Sequence, residues 1–253
     1  MSRENTMKNK LALALLILST VGPVSSVTAA DHARIFLNGA FDVGSKDFSQ
    51  TRTFKEFAED GTIESQYSVG SGVGFELGFH WRFKGRFGAM ASVSSAGRDA
   101  TVDVTASIPH PLYLEKPRSA STSQEGLSYH ETIVHVDFVY AIPSGKSLEI
   151  LLFAGPSFAD VKADVVTKLN YSQTYPYDEV TVTSLSSSRL SDSGVGFNIG
   201  AGLDYRLGKS RRFGLGAQAR FTTGSANLVP AEGPTIDIDA GGFQAAAGVR
   251  IYF

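Results

Sequence analysis

The last eleven residues of the chain, 243–253, constrain its fold more than any other stretch. They read FQAAAGVRIYF, so apolar side chains at odd positions alternate with small or polar ones at even positions. Strict alternation of this kind predicts a β-strand with one apolar face. A tilted strand of about 9–11 residues is long enough to cross the hydrocarbon layer of a membrane. We therefore expect a membrane-spanning strand here.

The first thirty residues have the layout of a secretory signal peptide. Lys8 and Lys10 precede an apolar run that Pro23 interrupts after too few residues for a membrane-spanning helix, and small residues follow at a cleavage point. This order favours a cleaved signal over an uncleaved anchor helix. The sequence predicts a signal peptide at residues 1–30 and one mature domain at residues 31–253.

The composition of the mature part excludes several classes of protein. Its 20 basic and 24 acidic residues give a formal charge of −4, without the basic stripe that nucleic-acid binding requires. The chain has no cysteine, so no disulfides hold an exported domain together. No run of 18 apolar residues follows the signal, so no helix is expected to span a membrane. A membrane-embedded form must then be a closed barrel, because open strand edges are not tolerated in lipid.

Eight segments of the mature part show the alternation of the last strand. Short turns and long polar connections separate them in turn, which is typical of an up-and-down antiparallel barrel. The sequence therefore predicts an all-β, eight-stranded transmembrane β-barrel. Residues 51–57 and 62–68, on either side of Asp60 and Gly61, predict an additional hairpin that stands beyond the barrel. The predicted strands are 35–43, 73–83, 87–94, 131–140, 148–165, 195–206, 213–222 and 243–253.

The apolar strand faces carry most of the aromatic residues in two groups, one at each end of the strands. Phe75 and Phe83 are eight residues apart, which at about 3.3 Å per residue and a tilt of about 40° corresponds to a height of about 20 Å. A lipid-facing band about 25 Å tall between two aromatic girdles is the expected figure for a membrane barrel. We expect the girdles to comprise Trp81, Phe83, Phe87, Tyr140, Tyr205, Phe213 and Phe253 at the short-turn end, and Phe41, Phe75, Phe197, Phe221 and Phe243 at the other.

The opposite strand faces are rich in glycine and carry scattered charges. A soluble eight-stranded barrel would place its large apolar side chains inside and its charges outside, so this pattern favours the membrane barrel. Eight strands enclose a space just wide enough for side chains, and charges buried there need partners. We expect a lumen charge network formed by Glu76, His80, Arg82, Glu131, His135, Asp137, Asp204, Arg206, Arg220 and Arg250.

Two chemical alternatives to this network arise from the same residues. Glu131, His135 and Asp137 share one strand face, where a carboxylate–histidine cluster can serve as a general base or bind a metal. The arginines on the neighbouring strands favour ion pairs instead, so we expect no metal and no cofactor. His130 lies on the opposite strand face from His135. The spacing between the two histidines is also one residue too long for the metalloprotease helix motif.

A lipid-modifying enzyme needs Ser and His close together near the rim. No such pairing stands out in the sequence, and His110, between two prolines, indicates turn chemistry. We therefore expect no catalytic residues. Strand-like runs in the long connections indicate that the barrel continues above the membrane, as a rim that can bind an extracellular partner or glycan. Its tyrosines are Tyr113, Tyr171, Tyr175 and Tyr177.

With its export signal, amphipathic strands and aromatic last residue, the chain resembles the small bacterial outer-membrane β-barrels of the OmpA and OmpW type over residues 33–253. The pattern at Val249, Ile251 and Phe253 is similar to the signal that such proteins present to the barrel-assembly machinery. The resemblance implies a location in the Gram-negative outer membrane, contact with its lipid, and both termini in the periplasm. That family includes structural anchors, adhesins, narrow conduits and a few lipid enzymes.

The sequence thus favours a monomeric outer-membrane barrel with a structural or surface-interaction role and no catalytic activity. The main alternative is a narrow, porin-like conduit for small or apolar solutes. A lipid-modifying enzyme is a lesser alternative.

Overall fold

A computed structural model describes residues 33–231 and 233–253 of the chain, so the predicted signal peptide lies outside the described residues. These residues form antiparallel strands. No helix among them is long and apolar enough to cross a membrane. The strands are β1 (Ala33–Val43), β2 (Lys46–Glu56), β3 (Glu59–Val69), β4 (Gly72–Lys84), β5 (Phe87–Ile108), β6 (Arg118–Ser144), β7 (Leu148–Gln173), β8 (Val180–Leu207), β9 (Phe213–Leu228) and β10 (Ile236–Tyr252).

Eight of the ten strands close into a barrel. The order around the ring is β1, β4, β5, β6, β7, β8, β9 and β10, and β10 returns to β1 with Arg34 opposite Tyr252 and Val43 opposite Phe243. The predicted barrel class is therefore confirmed. The ring has the predicted eight strands, and the total is ten because β2 and β3 form a long hairpin outside the ring.

The hairpin before β4 is confirmed, but the position predicted for its turn is wrong. Phe57 and Ala58 make the turn with φ of 50° and 67°, whereas Gly61 lies within β3 opposite Phe54. The Phe54 ring occupies the space that a Cβ on Gly61 would need. The glycine thus makes room for an aromatic side chain on the paired strand, and it does not supply turn geometry.

Four strands extend well beyond the lengths expected from the sequence. β5, β6, β7 and β8 contain 22, 27, 26 and 28 residues. Where β4 has ended, β3 takes its place beside β5, from Val69 opposite Ala100 to Thr62 opposite Ser107. The hairpin therefore continues the wall of the barrel. We call the part next to the short turns the lower barrel and the part that contains the hairpin the upper barrel.

The polarity of the wall reverses between these two parts. On β7, Leu152 and Phe158 point outward in the lower barrel, whereas Asp160 and Lys162 are the next outward residues in the upper barrel. The inward positions of this strand run through odd numbers from Glu149 to Val165, which settles a phase that the apolar run LEILLFAG leaves ambiguous.

The upper barrel has an apolar interior. Phe48 of the hairpin stacks on Tyr67 with ring centroids 4.5 Å apart, and valines of β5 and β7 pack below them. The cluster comprises Phe48, Tyr67, Val69, Ala100, Val102, Val104, Leu127, Tyr129, Ile133, Ala159, Val161, Ala163, Val165, Val166, Ala226, Leu228, Ile236, Ile238 and Ala240. Here the barrel is built like a soluble domain, with a core protected from water.

Candidate functional site: the lumen and the rim

The centre of the lower barrel is occupied by Arg220 of β9 and two carboxylates. Its guanidinium lies 2.8 Å from Glu76 on β4 and 3.2 Å from Asp137 on β6. Asn38 also donates to Glu76, and Asn198 donates to Asp137 over 2.7 Å. All five side chains are buried, so these charges are compensated inside the barrel and face no lipid.

A second group of charges lies nearer the short turns. Arg34 of β1 pairs with Glu149 at 2.9 Å and with Asp204 at 2.6 Å. Arg250 of β10 reaches Asp204 at 2.9 Å, and Arg82 bonds Glu149. Three arginines and two carboxylates therefore form one connected set across five strands.

A third group marks the boundary with the upper barrel. Arg98 of β5 pairs with Asp42 at 2.9 Å and with Glu131 at 3.3 Å. Lys46, at the start of the hairpin, binds Glu131 at 2.6 Å, and the Tyr129 hydroxyl donates to the same carboxylate over 2.9 Å. This group anchors the base of the hairpin to the wall on the other side.

The remaining residues of the predicted network take less central places. His135 lies between Ser157 (2.8 Å) and Ser94 (3.4 Å). His80 is buried, and its Nε2 packs so closely against Gly88 that a Cβ on that glycine would lie only 2.7 Å from it. Arg206 lies over the ring of Tyr252, 4.5 Å from its centroid.

Several polar partners in the lumen were not singled out from the sequence. They lie at strand ends, on the strand of ambiguous phase, or among the uncharged inward residues. They include Arg34, Asn38, Asp42, Lys46, Arg98, Glu149, Asn198 and Gln218. Their inward phase is readable along each strand, but their partners depend on the register between strands.

Two aromatic rings close the spaces between the charges. Phe153 lies 5.0 Å from the Arg220 guanidinium, and Phe36 lies 5.1 Å from that of Arg250. Such cation–π contacts strengthen when they are desolvated. Within the described part of the chain, no three His, Asp or Glu side chains form a group that could hold a metal ion.

One small cavity lies beside the third charge group. Its volume is about 20 Å³, with Asp42, Arg98, Glu131 and His135 in its lining. A space of this size holds about one water molecule. The cavity is too small for a solute.

A Ser–His contact that the sequence did not reveal lies on the outer surface. The Ser95 hydroxyl is 3.1 Å from His130 Nε2, and Thr132 lies 3.5 Å from the same nitrogen. No carboxylate of the described residues hydrogen-bonds to this histidine ring. An acyl-transfer site needs an oriented base and an oxyanion hole, so the contact alone does not make a catalytic site.

The predicted girdle residues all lie on the outer surface of the lower barrel, eleven of them exposed and Tyr140 half-buried. At the short-turn end, Phe87 lies 5.3 Å from Tyr140 and 5.6 Å from Phe138 between ring centroids. Val249, Ile251 and Phe253 continue this outward face along β10.

The predicted tyrosines of the rim do not form one surface. Tyr175 and Tyr177 contact each other in the β7–β8 turn, with centroids 5.9 Å apart. Tyr113 stacks on His110 in the β5–β6 connection at 4.8 Å, whereas Tyr171 bonds Glu56 of the hairpin. Burial and this carboxylate raise the pKa of the Tyr171 hydroxyl above its ordinary value.

Comparison with known proteins agrees with this architecture. The family model of the outer membrane protein beta-barrel domain matches residues 12–250, and no curated protein matches the chain. The solved structure of OprG from Pseudomonas aeruginosa is similar with a TM-score of 0.50 and 12% identity, over 90% of this chain and 99% of that one. Neisserial surface protein A has a TM-score of 0.39 and 10% identity, over 87% of this chain and 97% of that one. Ail from Yersinia pestis has a TM-score of 0.36 and 11% identity, over 87% of this chain and 99% of that one.

Proposed function

Because the chain belongs to the family of the outer membrane protein β-barrel domain, and therefore sits in the lipid of the outer membrane, we propose that it is a non-conducting, non-catalytic barrel. Its lower barrel anchors it in the membrane. Its upper barrel holds a rigid rim above the lipid, for envelope structure or for contact with a partner at the cell surface.

The observation that carries this proposal is the filled interior. The three charge groups fill the lower barrel from the short turns upward, and the apolar core fills the upper barrel. A conducting barrel needs a continuous water-filled path, which wide barrels of 16–18 strands provide. The cavity of about 20 Å³ beside the third charge group does not supply one.

We further propose that the short turns and both termini face the periplasm. Long strands and loops on one side and short turns on the other are typical of outer-membrane barrels, with the long side extracellular. The polar outer surface of the upper barrel supports this orientation, because it requires water and not lipid on that side.

The barrel-assembly machinery is the proposed partner during insertion. Val249, Ile251 and Phe253 form an exposed apolar stripe that ends the last strand. Deletion of Phe253 is expected to lower the fraction of protein that reaches the outer membrane as a compact band migrating faster when unboiled. A matched deletion of Lys209, in the exposed β8–β9 turn, is the control. If both variants reach the outer membrane in equal amounts, Phe253 is not part of the assembly signal.

Planar-bilayer recording tests the closed lumen. The mature protein is expected to give no discrete conductance steps, with a general porin as the positive control in the same bilayer. Stepwise currents that change on Glu76→Gln would overturn the proposal, because that carboxylate lies at the centre of the lumen.

One observation favours a narrow conduit as a second candidate function. β2 pairs only with β3, and the upper part of β10 pairs only with β9, so two unpaired edges face each other in the described residues. A side opening between these edges would admit an apolar solute. Faster entry of an apolar dye into proteoliposomes than into protein-free vesicles would support this function.

The lipid-modifying alternative has its own test. Ser95→Ala and His130→Ala are expected to leave the phospholipid and lipid A of an expressing strain unchanged. A lipid product that appears on expression of the wild-type protein and disappears in both variants would overturn the non-catalytic proposal.

A further inference from the structure

A cleft of about 430 Å³ opens at the top of the rim, between the β5–β6 connection and the tip of the β7–β8 hairpin. This volume lies within the range of about 300–1,000 Å³ that small-molecule sites occupy. Its lining contains several polar and charged side chains: His110, Lys116, Arg118, Asp178 and Glu179 all contribute.

The floor of the cleft contains a buried histidine with a free donor. The backbone amides of Leu112 and Tyr113 donate to His110 Nδ1 over 3.1 and 3.2 Å. The neutral ring must then carry its proton on Nε2. That nitrogen is buried without a hydrogen-bond partner, and the nearest carboxylate oxygen, of Asp178, is 3.8 Å away. Since buried donors are nearly always satisfied, this one is available to an acceptor bound in the cleft.

Arg118 gives the cleft a fixed shape. Its guanidinium donates to the carbonyl oxygen of Pro109 (2.7 Å), to Gln173 (2.6 Å) and to the carbonyl oxygen of Tyr177 (2.8 Å). These bonds tie the β5–β6 connection to the β7–β8 hairpin. The Nε–H of Arg118 remains without a partner, so the wall of the cleft holds a second unused donor.

The upper edge of the cleft combines charges of both signs with an aromatic ring. Lys116 lies over the ring of Tyr113, with its ammonium nitrogen 5.2 Å from the centroid. Asp178 and Glu179, on the hairpin tip, also line the cleft. The cleft therefore presents a cation, N–H donors and carboxylate acceptors, with Asp178 next to the His110 donor.

We propose that this cleft binds a carboxylate-bearing sugar unit of a surface glycan. The ligand carboxylate pairs with Lys116, and the sugar hydroxyl groups accept from His110 and donate to Asp178 and Glu179. The two protein carboxylates repel a multiply charged sulfated or phosphorylated sugar more strongly than a singly charged acid. The inference rests on the proposed function, because it needs this end of the barrel to face outward.

The test compares methyl β-D-glucuronide with methyl β-D-glucoside. The two sugars differ only at C6, where the glucuronide has a carboxylate and the glucoside a hydroxymethyl group. Calorimetric titration of the full mature barrel in detergent is expected to show the glucuronide binding about tenfold more tightly or better. Lys116→Gln is expected to weaken glucuronide binding several-fold. His110→Asn, which keeps an acceptor near the Nδ1 position and removes the Nε2 donor, is expected to do the same. Lys146→Gln, in the exposed turn at the other end of the barrel, is the matched control.

Three results would overturn the inference: equal affinity for the two sugars, binding of neither, or displacement of the glucuronide by acetate at equal concentration, which would indicate a simple anion site. None of them bears on the closed lumen, which the bilayer recording tests separately. A barrel that fails to bind yet stays non-conducting would refute the glycan cleft alone.

Discussion

The lower and upper barrels share the six strands β5 to β10 but have opposite polarity. On β9, Leu215, Ala217 and Phe221 face outward in the lower barrel and Arg220 faces inward, whereas Asn227 faces outward and Leu228 inward in the upper barrel. The strand keeps its inward phase throughout. What changes is the medium outside it, from lipid to water. The reversal therefore marks the level of the membrane surface on the protein.

The reversal also changes what stabilises each part. The upper core gains from the removal of apolar surface from water. The lower barrel buries ion pairs such as Arg220 with Glu76, whose desolvation cost can exceed their attraction. Its stability must come from the closed hydrogen-bond ladder and from the transfer of its outer surface into lipid. The same kind of substitution should thus have different effects in the two parts.

The largest effect is expected from breaking the central ion pairs. Arg220→Leu leaves Glu76 and Asp137 buried without a cation, and removal of one partner of a buried pair costs about 3–5 kcal/mol. Urea unfolding in lipid vesicles measures the loss. The control is Arg189→Leu, which breaks an exposed pair with Asp164 on the outside of the upper barrel and is expected to give a far smaller loss. Similar losses for both variants would contradict the buried network.

The next effect separates core packing from lipid contact. Ile238→Ala removes a side chain that is 2% exposed in the upper core, and the cavity left behind raises the cost to about 2–5 kcal/mol. Ile199→Ala acts on the outward face of the lower barrel, where lipid fills the space. It is expected to lose only the transfer of surface into lipid, about 1.5 kcal/mol. The unfolding free energies of the two variants should differ accordingly; equal losses would mean that the upper part lacks a packed core.

A charge on the outer surface tests the membrane level directly. Ala217→Arg places a cation midway between Phe213 and Phe221, and a lipid-facing arginine at that depth costs about 2–4 kcal/mol. Asn227→Arg, outward on the same strand in the upper barrel, is expected to cost nothing measurable. The urea unfolding midpoints of the two variants in lipid vesicles measure these costs. If Asn227→Arg is the more harmful variant, the membrane level is misplaced.

The contrast also explains which parts of the fold the sequence predicts. The lower strands β4, β8, β9 and β10 alternate large apolar and small residues, because lipid outside and a narrow lumen inside demand it. The upper extension of β6 lacks that signal. Residues 118–126 of β6 read RSASTSQEG, with small polar side chains at most positions. Their strand form depends on pairing with β5, which alternation alone does not reveal.

The sequence likewise predicts some of the lumen charges but not how they pair. Inward phase on well-patterned strands identifies Glu76, Arg220 and Asp204 as lumen charges. It does not identify Glu149, whose strand is apolar on both faces, or Arg98, which lies beyond the predicted end of its strand. Which charges meet is decided by the stagger between strands. Arg34 and Glu149 are brought together across the lumen by the closure of the barrel, a long-range constraint that no local pattern contains.

The smallest expected effect concerns the ion pair on the outside of the upper barrel. The Arg189 guanidinium hydrogen-bonds to Asp164, at 3.0 and 3.2 Å, and holds the pKa of that carboxyl below its ordinary value. A lowered pKa in the folded state means that the pair stabilises the protein above the ordinary value of about 3.9, and that this contribution is lost as the pH falls through the folded pKa. Wild type should therefore unfold at slightly higher urea than Asp164→Asn at pH 6, with the gap closing below about pH 4. Salt should also narrow the gap, because the pair is exposed. A gap that stays constant over this pH range would show that Asp164 acts through its hydrogen bond from the Ser128 amide and not through its charge.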